Sequence, residues 1–276
     1  MSSAETEILI EAGHTERNYW RDLFRYRELF YFLAWRDFLV RYKQTVIGIL
    51  WAVLRPVLTM LIFVFIFGRI AKLPSQGLPY PLMVFAGMLP WQLFASSLSE
   101  GSSSLITNAN LISKVYFPRL IVPTSAVVVS FADFAISAVL LGLLMVYYGI
   151  WPGLYLFALP VFTLLALGAS MGAGLWLAAL NVEYRDFRYV VPFLVQFGLY
   201  VSPVGFTSAV VPEKWRVLYS LNPMVGVIDG FRWSISGGRA AIFIPGLLVG
   251  SVVMSLLLIS GIWYFRRVER SFADII

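Results

Sequence analysis

The chain of 276 residues is 59% hydrophobic and only 13% charged, about half the charged fraction of an ordinary globular domain. A soluble fold of this length could not hide so much apolar side chain, so the composition indicates an integral membrane protein. The formal net charge of +6 raises the question whether nucleic acid is a partner. The chain has no cysteine, which excludes disulfides, thiolate metal sites and thiol nucleophiles.

Six apolar stretches are each long enough to cross a bilayer, which takes about 20 residues of α-helix. They cover 46–68, 82–104, 120–148, 154–180, 189–208 and 242–265. The sequence therefore predicts an all-α, polytopic membrane protein with six transmembrane helices. Its predicted parts are a cytoplasmic tail with an interfacial helix (1–45), a transmembrane domain (46–265) and a cytoplasmic C-terminal tail (266–276).

Basic residues fall mainly on one side of these stretches. The polar N-terminus lacks the apolar core of a signal peptide, so an internal span leads insertion and the N-terminus is expected in the cytoplasm. On that topology the inner segments hold fourteen Lys and Arg, the outer segments hold six, and Arg55 lies within a span. This is the positive-inside pattern of a protein with both ends in the cytoplasm. The orientation of the chain in the membrane therefore explains its excess of basic residues, and no nucleic-acid partner is needed to explain it.

The segment before the first span is predicted to be an amphipathic interfacial helix. Apolar side chains recur at steps of three and four from Phe32 through Trp35, Leu39 and Tyr42 to Val46. The basic residues around them would lie among phospholipid headgroups or dock on an acidic partner protein. These are Arg21, Arg25, Arg27, Arg36, Arg41 and Lys43. We expect the chain to turn into the first span within 45–48, where Gly48 permits a bend.

The outward segment 207–241 is amphipathic and too polar to span comfortably, yet it is rich in Trp, Leu, Val and Tyr. It is predicted to form two short re-entrant helices in the outer leaflet, broken at Asn222-Pro223. Irregular backbone at that depth needs protein or a water-filled cavity to satisfy its polar groups.

Residues for catalysis are scarce. The single histidine, His14, lies in the polar tail, and no acidic cluster has the spacing of metal ligands. A membrane transferase would show such a constellation, so the sequence disfavours an enzyme. No lysine completes a GxxxxGK[ST] phosphate loop, so the chain does not hydrolyse ATP by that route.

Three ionisable residues lie within the predicted spans: Arg55, Glu100 and Asp133. An ion-coupled carrier would use Glu100 and Asp133 as a proton relay. Interhelical hydrogen bonds, or snorkelling toward the surface, explain the same residues without a relay.

Two inner loops suit contact with a soluble partner. The loop 108–125 is short and mixed in polarity, and it ends in two prolines that restart a helix. The loop 181–192 places four charged residues within six positions. Composition leaves open whether these loops dock a partner or anchor helix ends among lipid headgroups.

Four segments follow one another in an order that resembles a known family. They are "YKQTVIGILWAVLRP" (42–56), "NANLISKVYFPR" (108–119), "NVEYRDFRYVVPFLVQ" (181–196) and "LYSLNPMVGVIDGFRW" (218–233). From about residue 20 onward the chain resembles the membrane subunit of ABC-type polysaccharide exporters, which move lipid-linked O-antigen, capsule or teichoic acid precursors. The resemblance implies a homodimer in the bacterial inner membrane above two separate ATP-binding subunits, which hold ATP and magnesium. No cofactor is expected on this chain.

The resemblance also implies roles for particular residues. The loop after the second span would act as a coupling helix, together with the second inner loop, and the re-entrant helices would act as an outward gate. The coupling residues would be Leu111, Ile112, Lys114, Tyr116, Phe117, Arg119, Glu183, Arg185, Asp186 and Arg188. The gate residues would be Pro212, Trp215, Tyr219, Asn222, Pro223, Asp229 and Trp233.

Aromatic residues bear on the substrate, because a sugar ring can lay its apolar face on an aromatic ring. Phe, Trp and Tyr total 45 residues, most of which must face lipid or anchor helix ends. Candidates for lining a glycan path are Tyr42, Trp51, Phe85, Trp91, Phe94, Tyr200 and Phe206. The alternatives to a polysaccharide exporter are an ABC exporter of a drug or small lipid and an ion-coupled carrier.

Overall fold

The computed structural model describes residues 19–43 and 48–272, and every regular element within these ranges is a helix. The turn expected at 45–48 lies mostly outside the described residues, as do His14, Val46 and the last four residues. The α-helices are α1 (Tyr19–Arg25), α2 (Arg27–Lys43), α3 (Gly48–Phe63), α4 (Tyr80–Thr107), α5 (Ala109–Ile112), α6 (Ile121–Tyr147), α7 (Leu159–Glu183), α8 (Phe187–Val201), α9 (Glu213–Tyr219), α10 (Pro223–Ile235) and α11 (Ile244–Val268). A π-helical turn, Val64–Ile70, continues α3, and 3-10 turns at Gly153–Ala158, Ser208–Val210 and Glu269–Ser271 flank α7, α9 and α11.

Five helices of the described chain are long and apolar enough to cross a membrane. They run over Leu50–Ile70, Tyr80–Thr107, Ile121–Tyr147, Gly153–Glu183 and Ile244–Ser271, and they coincide with five of the six predicted stretches. The remaining stretch, 189–208, contains α8, whose 15 residues extend over about 22 Å at the usual helical rise. Beyond α8 the chain continues through a turn at 202–206 instead of a helix. The protein is therefore a multi-pass membrane protein built around five long helices.

Helix α4 is the central element of the bundle, packed against α6, α7 and α10. All residues from Leu82 to Trp91 are buried, whereas most residues in the apolar windows of the other long helices are half-buried or exposed. Exposed apolar faces are what lipid contact requires of helices on the outside of a bundle. Helix α4 is therefore the buried helix around which the other helices are packed.

The buried side chains fall into two groups, one at each end of α4. One group, which we call the outer cluster because the topology predicted from the sequence places it toward the outside, centres on Phe85, Phe162 and Phe231 from α4, α7 and α10. The other group, the inner cluster, includes Leu33 of α2 and Leu105 of α4. It also contains side chains of α6, α7 and α11 and of the loop that follows α4. Helix α4 contributes to both groups, so it connects the region of the candidate gate residues to the loops 108–118 and 181–192.

Helix α2 runs alongside the inner halves of α4 and α6. Arg36 contacts Asn108 at the end of α4, and Arg41, five residues later, contacts Glu100 further up the same helix. Helix α2 buries Leu33 in the inner cluster and exposes Phe32 and Trp35 of the predicted apolar stripe. The start of the stripe is therefore available to lipid, whereas Leu39 and Tyr42 are half-buried. The face that α2 buries at Leu33 is offset by one residue from Phe32.

Helices α7 and α11 touch backbone to backbone at Gly172 and Gly261. A methyl group added to Gly172 would lie 2.6 Å from the carbonyl carbon of Leu257 and from the nitrogen of Leu258. One added to Gly261 would lie 2.4 Å from the carbonyl oxygen of Gly172. Small residues of this kind let membrane helices approach closely, which maximises van der Waals contact.

We predict that Gly172→Ala destabilises the bundle, because the opposing α11 backbone cannot move aside for the new methyl group. Overpacking of this type costs about 1–3 kcal/mol. The matched control is Gly142→Ala in α6, where the added methyl group would meet no atom within 4 Å and alanine is the better helix former. Thermal unfolding of the detergent-solubilised protein should show a lowered midpoint for Gly172→Ala only. Equal midpoints would contradict the close packing of α7 on α11.

Candidate functional site: an inner docking face and an outer anchor

The first inner loop, which we call the coupling loop (108–118), is held by two apolar side chains and presents polar ones. Ile112 and Phe117 are buried in the inner cluster, whereas Lys114 and Tyr116 are exposed. The loop is therefore anchored at both ends of its tip, and the tip itself is open to a partner.

The second inner loop exposes a compact set of charges. Glu183, Arg185, Asp186 and Arg188 are all exposed, next to the exposed rings of Tyr184 and Tyr189. Just before it, the Asn181 amide donates to the backbone oxygen of Ser102 at 3.0 Å. Since α4 and α7 are joined there, both inner loops arise from the same rigid end of the bundle.

The chain ends of the described region close the inner cluster. The Tyr19 hydroxyl donates to the Glu269 carboxylate at 3.0 Å, and the Arg266 guanidinium lies 4.5 Å from the centre of the Tyr19 ring. Burial and the neighbouring carboxylate raise the pKa of Tyr19, so it remains a neutral donor. These contacts tie α1 to the inner end of α11.

The outer anchor is Arg232 of α10, which is 2% exposed. Its guanidinium donates to the backbone oxygens of Met83 at 3.1 Å, Val204 at 2.8 Å and Phe206 at 2.8 Å. Asp229, one turn earlier, lies 3.8 Å away as its counter-charge. Burial lowers the pKa of Arg232 to about 10, which still leaves it charged at neutral pH. Arg232 thus fastens α10 to α4 and to the turn at 202–206.

Several of the candidate gate residues contact the same junction. The Asn222 side chain caps α10 by accepting from the Met224 nitrogen at 3.0 Å and donates to the Ser202 hydroxyl at 2.9 Å. The Tyr219 hydroxyl donates to the Val201 oxygen at 2.7 Å. Trp233 packs edge-on against Tyr155. Of the remaining gate candidates, Asp229 is buried, Pro223 is half-buried, and Pro212 and Trp215 are exposed on and before α9.

The structure brings Glu100 and Asp133 together on one cation. Arg41 of α2 lies 2.7 Å from Asp133 and 3.3 Å from Glu100, and the Tyr42 hydroxyl also donates to Asp133. This is the interhelical pairing that the sequence left open, and it corrects the expectation that Arg41 faces phospholipid headgroups. Arg55 is exposed on α3. Within 19–43 and 48–272 no three acidic or histidine side chains are grouped as a metal site would require.

The candidate path residues occupy three different environments. Phe85 and Trp91 are buried in the outer cluster, and the Trp91 ring lies against Gly198 of α8. Tyr42, Phe94 and Phe206 are half-buried, while Trp51 and Tyr200 are exposed on α3 and α8.

Of the coupling candidates, Leu111 and Arg119 are half-buried.

Two functional candidates were missed in the sequence, Arg232 and the Arg41 cluster. Arg232 stands three residues after Asp229 in an otherwise apolar segment, a spacing that places the two charges on one helical face. That spacing was the available signal. No comparable signal marked Arg41, since its partners lie 59 and 92 positions away.

Comparison with known proteins adds a family to this geometry. Residues 28–236 match the family model described as ABC-2 type transporter. An O-antigen export system permease protein of Myxococcus xanthus is 33% identical over 90% of this chain and 96% of its own length. One from Klebsiella pneumoniae is 28% identical over 87% and 92%. A polysialic acid transport protein of Escherichia coli is 23% identical over 74% and 79%.

We predict that Arg232→Met lowers stability strongly, because it leaves three buried carbonyl oxygens and the Asp229 carboxylate without their cation. Removing one partner of a buried ion pair costs about 3–5 kcal/mol. The matched control is Arg239→Met, an exposed arginine four residues beyond α10. Size-exclusion profiles after graded heating should show loss of folded protein at lower temperature for Arg232→Met than for the control. Coincident profiles would refute the anchor.

Proposed function

Because the chain belongs to the ABC-2 type transporter family, we propose that it is the membrane subunit of an ATP-driven exporter of lipid-linked polysaccharide. The observation that carries the proposal is the similarity to an O-antigen export permease over nearly the full length of both chains. O-antigen is the foremost substrate class, and capsule and teichoic acid precursors are its relatives. The chain itself is a permease and not an enzyme.

The proposed topology has six spans with both ends in the cytoplasm of a bacterial inner membrane. The fifth crossing combines α8 with the turn at 202–206, which together approach the length of the predicted stretch 189–208. Helices α9 and α10 then re-enter the outer leaflet. The excess of basic residues on the inner segments supports this orientation. The three parts are the N-terminal segment 1–45, the membrane domain 46–265 and the tail 266–276.

A separate subunit would bind ATP and magnesium, since this chain has no phosphate loop. Its docking face would be the exposed part of the coupling loop together with the charges of 183–188. Both loops stand on the inner cluster, so a push on either moves α4, α6 and α7 together. Buried Ile112 and Phe117 would transmit that push, while Lys114 and Tyr116 make the contact.

A second copy of the chain would complete the glycan path. Helices α3 and α8 expose rows of large apolar side chains, including Trp51 on α3 and Phe193, Phe197 and Tyr200 on α8. Aromatic rings suit the apolar faces of sugars and need no fixed hydrogen-bond partner. A homodimer formed across these faces would place the exposed candidates on a shared conduit.

The direct test is genetic. Deleting the gene for this chain should remove the glycan from the cell surface, and lipid-linked glycan should accumulate inside. Surface labelling with an antibody or lectin should recover when the chain is restored together with its ATP-binding partner. Unchanged surface glycan, with altered resistance to drugs or altered membrane lipid instead, would favour the small-molecule exporter.

We predict that Lys114→Asp uncouples ATP hydrolysis from export. Reversing an interfacial charge places like charges together and costs several kcal/mol, so export should fall while the purified complex still hydrolyses ATP. The control is Lys72→Asp, an exposed lysine of the loop between α3 and α4. Normal export by Lys114→Asp would show that the coupling loop is assigned wrongly.

Phe117→Ala tests the other side of the same loop. Because the ring is buried in the inner cluster, its removal should cost about 3–5 kcal/mol of stability. A reduced thermal midpoint together with reduced export is expected. An unchanged midpoint would mean that the ring does not anchor the loop.

A further inference from the structure

Arg41 joins three helices with one side chain. Its two terminal nitrogens reach carboxylates on different helices, Glu100 on α4 at 3.3 Å and Asp133 on α6 at 2.7 Å. The adjacent Tyr42 adds a hydrogen bond from its hydroxyl to Asp133. The forked guanidinium suits this task, because its donors point in fixed, separate directions.

Arg36 joins the same helix to the coupling loop. Its guanidinium donates to the side-chain oxygen of Asn108 at 2.8 Å, and Asn108 is the residue between the end of α4 and the start of α5. The Asn108 amide in turn donates to the Ser104 oxygen at 2.9 Å. Arg36 therefore contacts the first residue of the coupling loop.

Both contacts sit on one continuous helix. Arg36 and Arg41 are about 7.5 Å apart along α2 at the usual rise per residue, and their partners Asn108 and Glu100 are about 12 Å apart along α4. The helix also precedes α3 by only four residues. It thus contacts the start of the coupling loop and, further along, Glu100 of α4, and four residues of chain separate it from α3.

We propose that Arg41 is a positioning residue that locks α2 to α4 and α6, so that a displacement of the coupling loop reaches α3 through α2. The proposal rests on the proposed function, since the displacement comes from the ATP-binding subunit. Without the Arg41 side chain, α2 would remain attached through Arg36, the inner cluster and the Tyr42–Asp133 hydrogen bond, but its C-terminal end would lose its ion pairs with α4 and α6 and follow these helices less closely. ATP would then be hydrolysed with less glycan moved.

The test is a charge exchange in the complete complex with its ATP-binding subunit. Arg41→Glu places three carboxylates together, and Asp133→Arg places two cations together. The double variant Arg41→Glu/Asp133→Arg restores the ion pair between α2 and α6 with its charges exchanged, but it places the new carboxylate of α2 beside Glu100. The single variants should lower the glycan exported per ATP hydrolysed by about fivefold or more, the scale of coupling between contacting residues, and the double variant should recover a measurable part of that ratio.

The matched control is Arg27→Glu, an exposed arginine on the same helix. It changes the same charge near the same membrane surface and should leave the ratio unaltered. If the double variant is as impaired as the single ones, or if Arg27→Glu is equally impaired, the lock is refuted. Single variants with the wild-type ratio refute it as well.

A structural measurement keeps the proposal testable if the reversed charges prevent assembly. Hydrogen exchange in Arg41→Gln should accelerate over residues 27–43 and stay unchanged in α7. Wild-type exchange rates over α2 would overturn the lock even if export were impaired. The proposed function fails separately, when the wild-type complex itself does not couple ATP to glycan export.

Discussion

A polar group inside an apolar helix bundle must find its partner within the protein, and this constraint decides how both ends of the molecule are built. At the outer end one guanidinium, that of Arg232, binds two backbone oxygens of the turn at 202–206, where regular structure stops, and one of α4. The turn can lie in a buried position because Arg232, together with the Tyr80 hydroxyl that donates to the Gly205 oxygen, satisfies its backbone oxygens. The same arginine joins α10 to the turn.

At the inner end, charged side chains also find partners within the protein, but their contacts are partly exposed to water. Arg41 and Asp133 are partly exposed, unlike Arg232, so water can replace their pairing at lower cost. Arginine thus joins helices at both ends of the molecule, fully buried at Arg232 and partly exposed at Arg41. Helix α4 passes through both regions, and a displacement at its inner end therefore acts against an outer end that is held fixed.

Much of the fold could be predicted because membrane spans are a local signal. Five of the six apolar stretches match helices to within a few residues, since length and hydrophobicity decide them without reference to partners. Helix α8 ends earlier than predicted, at Val201, because Ser202 is extended, the conformation that a following proline favours. The Arg232 and Arg41 contacts were not predictable, as each depends on partners brought close only by packing. Exposure of Lys114 and burial of Phe117 within one loop likewise reflect the inner cluster and not the loop sequence.

The chain is proposed to be one half of an ATP-driven conduit, and the energy source is the point on which everything else depends. The decisive measurement is uptake of labelled lipid-linked glycan into proteoliposomes that contain this chain and its ATP-binding subunit. Uptake should require ATP hydrolysis and persist when an ionophore collapses the proton gradient. Uptake that proceeds without ATP and stops when the proton gradient is collapsed would contradict the ATP-driven conduit. It would instead support a proton relay through Glu100 and Asp133.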